Sequence, residues 1–262
     1  MSKKRGLPLS LKWIIVYYEK NRNLFVNQKE PAMARPNPRK SQIVPYKSGG
    51  KSTPSNNPSR KAGRNVGSYS MEVDPVGLRI IGGKFRGSKL SYLGDRRLRP
   101  MKDRVREAAF NLIHSYVKDS FVLDLFGGTG ALGLEALSRG AVGAVFTEQH
   151  FPTVRIIRQN IASLGLESQA QVFAGDVFLH YKKEQPLPKD HPWLIFCSPP
   201  YFFFQERMED LLELLTHLYE QAPAQSVLVV ESDTTFDWTV LESFGEWDIR
   251  AYPPAVLGIL QK

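Results

Sequence analysis

The sequence predicts an α/β fold: a doubly wound, mostly parallel seven-stranded sheet with an antiparallel C-terminal pair, preceded by a β-hairpin and a helix. Three observations predict it. From Phe121 onward, short apolar runs alternate with segments of helical periodicity, the pattern of strand, crossover helix and parallel strand repeated. A glycine-rich loop, FGGTGALG, separates the first such run from the first such helix. Near the C-terminus, WDIRAY and AVLGILQ are divided by Pro253-Pro254, as expected of two antiparallel strands.

Leu78 to Ile81 and Lys89 to Leu93 are expected to pair as the hairpin. Lys102 to Val117 follows as a helix whose Val105, Ala109, Leu112 and Ile113 share a face. FVLDLF (121–126) is the first parallel strand and ALGLEALSRG (131–140) its helix, with Leu132, Ala136 and Leu137 inward and Gly140 as the stop. GAVFTE (143–148) is the second strand, and 153–166 a helix carrying Val154, Ile157, Ile161 and Leu164. AQVFAGD (170–176), WLIFC (193–197) and VLVVE (227–231) are the next strands. A helix from about Gln205 to Gln221 joins the last two.

Charge is unevenly distributed. Residues 1–75 hold fifteen Lys/Arg and four Asp/Glu, a balance of +11, whereas 76–262 hold twenty and twenty-two, a balance of −2. The first 75 residues are rich in Pro, Ser, Gly and Asn, with too few apolar side chains to offset the entropy of ordering them. They are expected to form a largely disordered basic tail before a domain at 76–262. LKWIIVYY, near the start, falls far short of the ~20 apolar residues that span a bilayer. Its flanking charges do not suit a secretory leader, and Met33 is a second candidate start. The lone Cys197 and the scattered five histidines fit a reducing, cytoplasmic setting without a metal. Oligomeric state is not legible, and a monomer is the working expectation. Between Arg79 and Arg106 stand ten basic and two acidic residues, a cluster that calls for an anionic partner unless it is merely a solvated face.

Gly128, Gly130 and Gly133 form a GxGxxG arrangement between strand and helix. There the backbone must turn tightly and bring N–H groups to a ligand. Glu148 ends the next strand, twenty residues after Gly128, where a carboxylate can accept from the ribose hydroxyls of an adenosine. This much suits NAD and S-adenosylmethionine equally. Asp124, before the loop, favours the latter: it can meet the ammonium of a methionine moiety and would repel a diphosphate. Asp176 can accept from an adenine amine, or can simply cap the following helix. The fourth strand delivers Ser198-Pro199-Pro200-Tyr201 to the same rim, because parallel strands all end on one edge.

Together, LRIIGGKFRGSKL, LRPMKDRVREAAFNLI, VLDLFGGTGALGLEALSRGA and SPPY resemble the RsmD group of 16S rRNA guanine-N2 methyltransferases, over residues 78–262. The resemblance implies a Rossmann-like methyltransferase fold and S-adenosylmethionine as cofactor, bound by Asp124, Phe126, Gly128, Gly130, Glu148 and Asp176. It places Arg99, Pro100 and Arg104 near the site, and makes Ser198, Pro199, Pro200 and Tyr201 the catalytic tetrapeptide. Ribosomal RNA or the small subunit is then the partner, met by Arg86, Arg96, Arg97, Arg99 and Arg104. Three departures stand out: Ser198 where most members have Asp or Asn, Met101-Lys102 where Thr-Thr is usual, and YPPAVLGIL at the C-terminus.

Guanine's exocyclic amine is a weak nucleophile. Ser198 Oγ and the Pro199 carbonyl can accept its two hydrogens, and Tyr201 can stack on the extruded base. The competing expectations are methylation of another RNA or DNA base amine, a non-catalytic RNA-binding assembly protein, and an NAD-dependent oxidoreductase.

Overall fold

The computed structural model describes residues 77–94, 100–183 and 185–262. The expected tail, LKWIIVYY and Met33 lie outside them, as do Arg96, Arg97 and Arg99. The sheet has seven strands: β1 (Phe121–Asp124), β2 (Gly143–Glu148), β3 (Ala170–Ala174), β4 (Trp193–Cys197), β5 (Val227–Asp233), β6 (Asp248–Tyr252) and β7 (Ala255–Gln261). Their spatial order is β3-β2-β1-β4-β5-β7-β6. The first five are parallel, with Asp124 opposite both Phe146 and Phe196 and Cys197 opposite Val230. β7 runs antiparallel between β5 and β6, as expected of the C-terminal pair.

Burial explains why these segments are strands. Every residue of β1 and β4 is buried, so both faces must be apolar, and FVL and WLIFC are. The helices are α1 (Asp103–Leu112), α2 (His114–Val117), α3 (Ala131–Ser138), α4 (Phe151–Ser163), α5 (Val177–Tyr181), α6 (Phe203–Glu206) and α7 (Met208–Gln221). Side chains of α1 to α4, including Phe110, Val117, Leu134 and Ile157, pack on one face around Val122, Phe146 and Phe196. Those of α5 to α7, including Phe178, Phe203 and Leu215, cover the other around Leu123 and Ile195. Each such large apolar side chain contributes about 2 kcal/mol by leaving water.

Several boundaries differ from expectation. The helix at Lys102–Val117 breaks at Ile113, whose backbone (φ −98°, ψ 13°) leaves the helical region while its side chain is fully buried. The break lets Phe110 and Val117 both reach the core. The Gln205–Gln221 helix starts at Phe203 and is interrupted at Arg207 (φ −135°), whose side chain turns aside to other partners. The hairpin has a single bridge, Arg79 with Lys89, supported by Ile80 N–H to the Ser88 carbonyl at 2.9 Å and Leu90 N–H to the Leu78 carbonyl at 2.8 Å. Its tip is bound elsewhere. Lys84 N–H donates to the Ser138 carbonyl at 2.7 Å and Phe85 N–H to Ser138 Oγ at 2.9 Å. A short 3₁₀ helix, Trp238–Phe244, was not expected; it buries Leu241 and lays Trp238 over Gly258, where a Cβ would strike the indole.

Candidate functional site

The order of strands reverses between β1 and β4, and in open α/β sheets the crevice at such a reversal receives ligands. The glycine loop leaves β1 on one side of that crevice. SPPY leaves β4 on the other, with Leu125 N–H bonded to the Phe196 carbonyl at 3.0 Å just below both.

The loop's shape depends on glycine. Gly128 (φ 51°) and Gly130 (φ 78°) occupy the left-handed region, and Gly130 N–H closes the turn on the Gly127 carbonyl at 2.6 Å. Two carboxylates fasten this loop from behind. Asp124 Oδ2 accepts the Gly133 N–H at 3.1 Å, inside α3. Glu148 Oε2 accepts the Gly128 N–H at 2.9 Å and its Oε1 the His150 N–H at 2.7 Å. Burial pushes the Asp124 carboxyl from its ordinary 3.8 up to about 7, opposed by the Gly133 N–H and reinforced by the charge of Glu148. Burial also raises Glu148, while the His150 and Gly128 N–H groups pull it back. A buried and a half-buried carboxylate, both raised in pKa, favour a cation and hydroxyl donors, and disfavour a diphosphate.

Asp176 does what a capping residue does: Oδ1 accepts from Phe178 N–H at 2.8 Å and Leu179 N–H at 3.3 Å, holding the start of α5. Its Oδ2 faces Arg207 Nη1 at 3.4 Å. The same guanidinium lies 4.0 Å from the Phe178 ring centre and donates from Nε to Asp210 at 2.9 Å, which accounts for the helix break. Phe126 meets Phe178 and Phe203 edge-on at 6.1 and 6.0 Å, lining an aromatic wall below this rim. Sequence reasoning missed Arg207, since an arginine within a helical pattern reads as surface charge.

In the SPPY turn, the Pro200 carbonyl accepts Phe203 N–H at 2.8 Å and the Tyr201 carbonyl Phe204 N–H at 3.1 Å. Among the described residues no backbone N–H takes the Pro199 carbonyl. Pro199 is buried and Ser198 half-buried, while Phe202 stays 52% exposed on the rim. The Tyr201 hydroxyl donates to Glu231 Oε1 at 3.2 Å, and the neighbouring Ser198 hydroxyl helps to stabilise the charge of the same carboxylate. Glu231, near the end of β5, was also missed. The adjacent register pair, Cys197 with Val230, is the structural reason it lies beside Ser198. Cys197 is buried and its thiol pushed up by that burial, so it stays protonated behind the motif.

The N-terminal segment is fixed by a buried charge cluster. Glu135 of α3 is fully buried and accepts from Ile81 N–H, Gly82 N–H and Arg139 Nε at 2.7, 2.7 and 2.8 Å. Arg106, also fully buried, approaches Glu135 at 4.0 Å and donates to the Arg79 carbonyl at 2.6 Å and to Asp103 at 2.9 Å. Asn160 Oδ1 then accepts Ser91 N–H at 2.7 Å, and its Nδ2 donates to the Ser91 and Thr129 carbonyls at 3.1 and 3.4 Å. Residue 91 is thereby brought to the glycine loop. Arg86 is not: it sits in the hairpin tip bound to the C-terminal end of α3, an eight-residue helix and so roughly 12 Å from the loop. Arg104 is exposed on α1. Among the described residues no cluster of His, Cys, Asp and Glu has metal-binding geometry, and no helix is long and apolar enough to cross a membrane.

A family model described as Conserved hypothetical protein 95 matches residues 78–252. Over 171 residues the chain is 33% identical to Ribosomal RNA small subunit methyltransferase D of Haemophilus influenzae, covering 63% of this chain and 86% of that one. It is 38% identical over 138 residues to the Escherichia coli protein of the same name, covering 53% and 66%. The solved structure of yhhF from Escherichia coli superposes with a TM-score of 0.56 at 30% identity, over 71% of this chain and 98% of that one. The sheet order, the glycine loop and the match across 78–252 agree: the fold is that of the Rossmann-like S-adenosylmethionine-dependent methyltransferases, and the chain belongs to the Conserved hypothetical protein 95 family, the RsmD family.

Proposed function

We propose that this protein is an S-adenosylmethionine-dependent rRNA methyltransferase that modifies the exocyclic N2 amine of a guanine in small-subunit ribosomal RNA, with SPPY as the acceptor-amine site. Membership of the family, and relatives named as small-subunit rRNA methyltransferases, support the activity and the class of RNA. The observation that carries the site is the delivery of Ser198-Pro199-Pro200-Tyr201 by β4 to the crevice that the glycine loop, Asp124 and Glu148 occupy from the other side.

S-adenosylmethionine supplies an electrophilic methyl on a sulfonium and departs as the neutral thioether. The chain's own residues bind and orient. Asp124 suits the ammonium of the methionine moiety, and Glu148 the ribose hydroxyls through the lone pairs its two backbone partners leave. The Oδ2 of Asp176, whose Oδ1 is committed to capping, suits the adenine amine once Arg207 gives way. The aromatic wall of Phe126, Phe178 and Phe203 fits the flat base.

On the acceptor side, Ser198 Oγ and the Pro199 carbonyl accept the two amine hydrogens and turn the lone pair towards the methyl. Pro199 and Pro200 bring no N–H into the turn to compete. Tyr201 stacks on the base, an interaction worth ~1–3 kcal/mol in single-stranded recognition. Positioning of this kind is the main catalytic device. Arg96, Arg97, Arg99 and Arg104 supply phosphate contacts.

The test is transfer of labelled methyl to small-subunit rRNA. Ser198→Ala and Tyr201→Ala are each expected to lower turnover severely while S-adenosylmethionine affinity holds; full turnover in both removes SPPY from the chemistry. Equilibrium titration separates this reading from an oxidoreductase, which would bind NAD instead.

A further inference from the structure

The first position of the tetrapeptide is a serine, Ser198, which carries no charge of its own. A carboxylate is nonetheless present one strand away. β4 and β5 are parallel and in register through Cys197 and Val230, so the next residues outward, Ser198 and Glu231, stand side by side on the rim. The Glu231 carboxylate accepts the Tyr201 hydroxyl at 3.2 Å, and the Ser198 hydroxyl beside it on the rim is near enough to stabilise the same carboxylate's charge. We propose that Glu231 is a positioning residue and proton acceptor for methyl transfer, acting on the substrate amine through the hydroxyl of Ser198. This rests on the reading of SPPY as the acceptor-amine site.

A serine hydroxyl is both donor and acceptor, and an unanchored one rotates. With its hydrogen committed to Glu231, Ser198 Oγ presents lone pairs outward, as an amine hydrogen requires. Methyl transfer also leaves a proton to be removed. When the amine nitrogen gains its N–CH₃ bond, the S–CH₃ bond breaks with its electron pair left on sulfur, and the nitrogen carries a positive charge. Its proton passes to Ser198 Oγ as the serine's own proton passes to Glu231. The result is a neutral methylamine, an unchanged serine and a protonated carboxyl, which then loses its proton to water. Burial raises Glu231 above the ordinary carboxylate range, opposed by the Ser198 and Tyr201 hydrogen bonds, which makes it a better proton acceptor than a solvated glutamate.

Among the described residues, Ser198 and Tyr201 face Glu231 from the turn after β4, and its register partner on β7 is Leu257, which does not titrate.

The experiment measures kcat on small-subunit rRNA at saturating S-adenosylmethionine across pH, for wild type, Ser198→Ala, Glu231→Gln and Ser198→Asp/Glu231→Gln. Wild-type kcat is expected to fall on the acid side as Glu231 takes up its proton. Glu231→Gln lowers kcat about 100-fold and abolishes that limb, with S-adenosylmethionine affinity retained. The double variant, which moves the carboxylate to the motif itself, recovers at least about tenfold over Glu231→Gln. Wild-type kcat and pH profile in Glu231→Gln overturn the proposal, as does a double variant no better than the single one. If Glu231→Gln does not fold, the wild-type profile decides: a flat acid side overturns it. Inactive Ser198→Ala beside active Glu231→Gln sinks this inference alone, whereas fully active Ser198→Ala sinks the acceptor-site reading beneath it.

Discussion

Glu148 Oε2 accepts the Gly128 N–H at 2.9 Å, so the carboxylate expected to meet the cofactor also holds the loop that would cradle it. With Oε1 on the His150 N–H, one side chain ties the turn after β2 to the turn after β1. Glu148→Ala is therefore expected to weaken S-adenosylmethionine by about 10- to 100-fold, the loss of a charge-assisted hydrogen bond plus loop order. Titration calorimetry reads it, and an unchanged affinity removes Glu148 from the cofactor site.

Asp124 gives the fold a pH dependence of definite sign. Its folded-state value lies near 7, above the ordinary 3.8, so its contribution to stability is fully present below pH ~4 and is lost as pH rises through about 7. Asp124→Asn keeps an oxygen for the Gly133 N–H and removes the charge. The variant is expected to be more stable than wild type above pH ~7, with a flatter profile between ~4 and ~7, and to bind S-adenosylmethionine more weakly. Urea denaturation at stepped pH checks the stability, and parallel profiles contradict it.

Glu135 holds the N-terminal segment. Glu135→Ala leaves Arg106 buried with its nearest α3 carboxylate gone and two backbone N–H groups without acceptors. A loss of about 3–5 kcal/mol is expected, well beyond a surface ion pair. Thermal or denaturant unfolding measures it; a cost below about 1 kcal/mol assigns the attachment to apolar packing instead.

The basic cluster can be tested in two parts. Neutralising Arg96, Arg97 and Arg99 together is expected to weaken RNA binding and to reduce the salt slope by about one per lost phosphate contact. Arg86→Gln, at the far end of α3, is expected to leave the slope unchanged. Filter binding over a salt series distinguishes them, and an unaltered slope in the triple variant returns the cluster to a solvated face.

The strands were legible because burial on both faces demands continuous apolar runs, which FVL, GAVF and WLIFC display, and Asp124 and Glu148 were legible from their spacing to the glycines. What escaped reading depends on which strand neighbours which. Glu231 carries no local signal, and only the β4–β5 register places it against Ser198. Glu135 looks like an ordinary helix charge until α3 is covered on every side. Arg207 broke a helix that periodicity predicted whole, since its contacts with Asp176 and Phe178 compete with helical geometry. Asp176 fitted both of its expected roles by sequence, and the geometry commits one oxygen to the cap.

The central claim is guanine-N2 methylation of small-subunit rRNA through SPPY. Mass spectrometry of rRNA nucleosides with position mapping, in cells with and without the gene, tests it most directly. The expected result is one N2-methylguanosine in small-subunit rRNA that vanishes without the gene and returns with the wild-type chain but not with Ser198→Ala. An unchanged small-subunit rRNA methylation pattern in cells lacking the gene would contradict it.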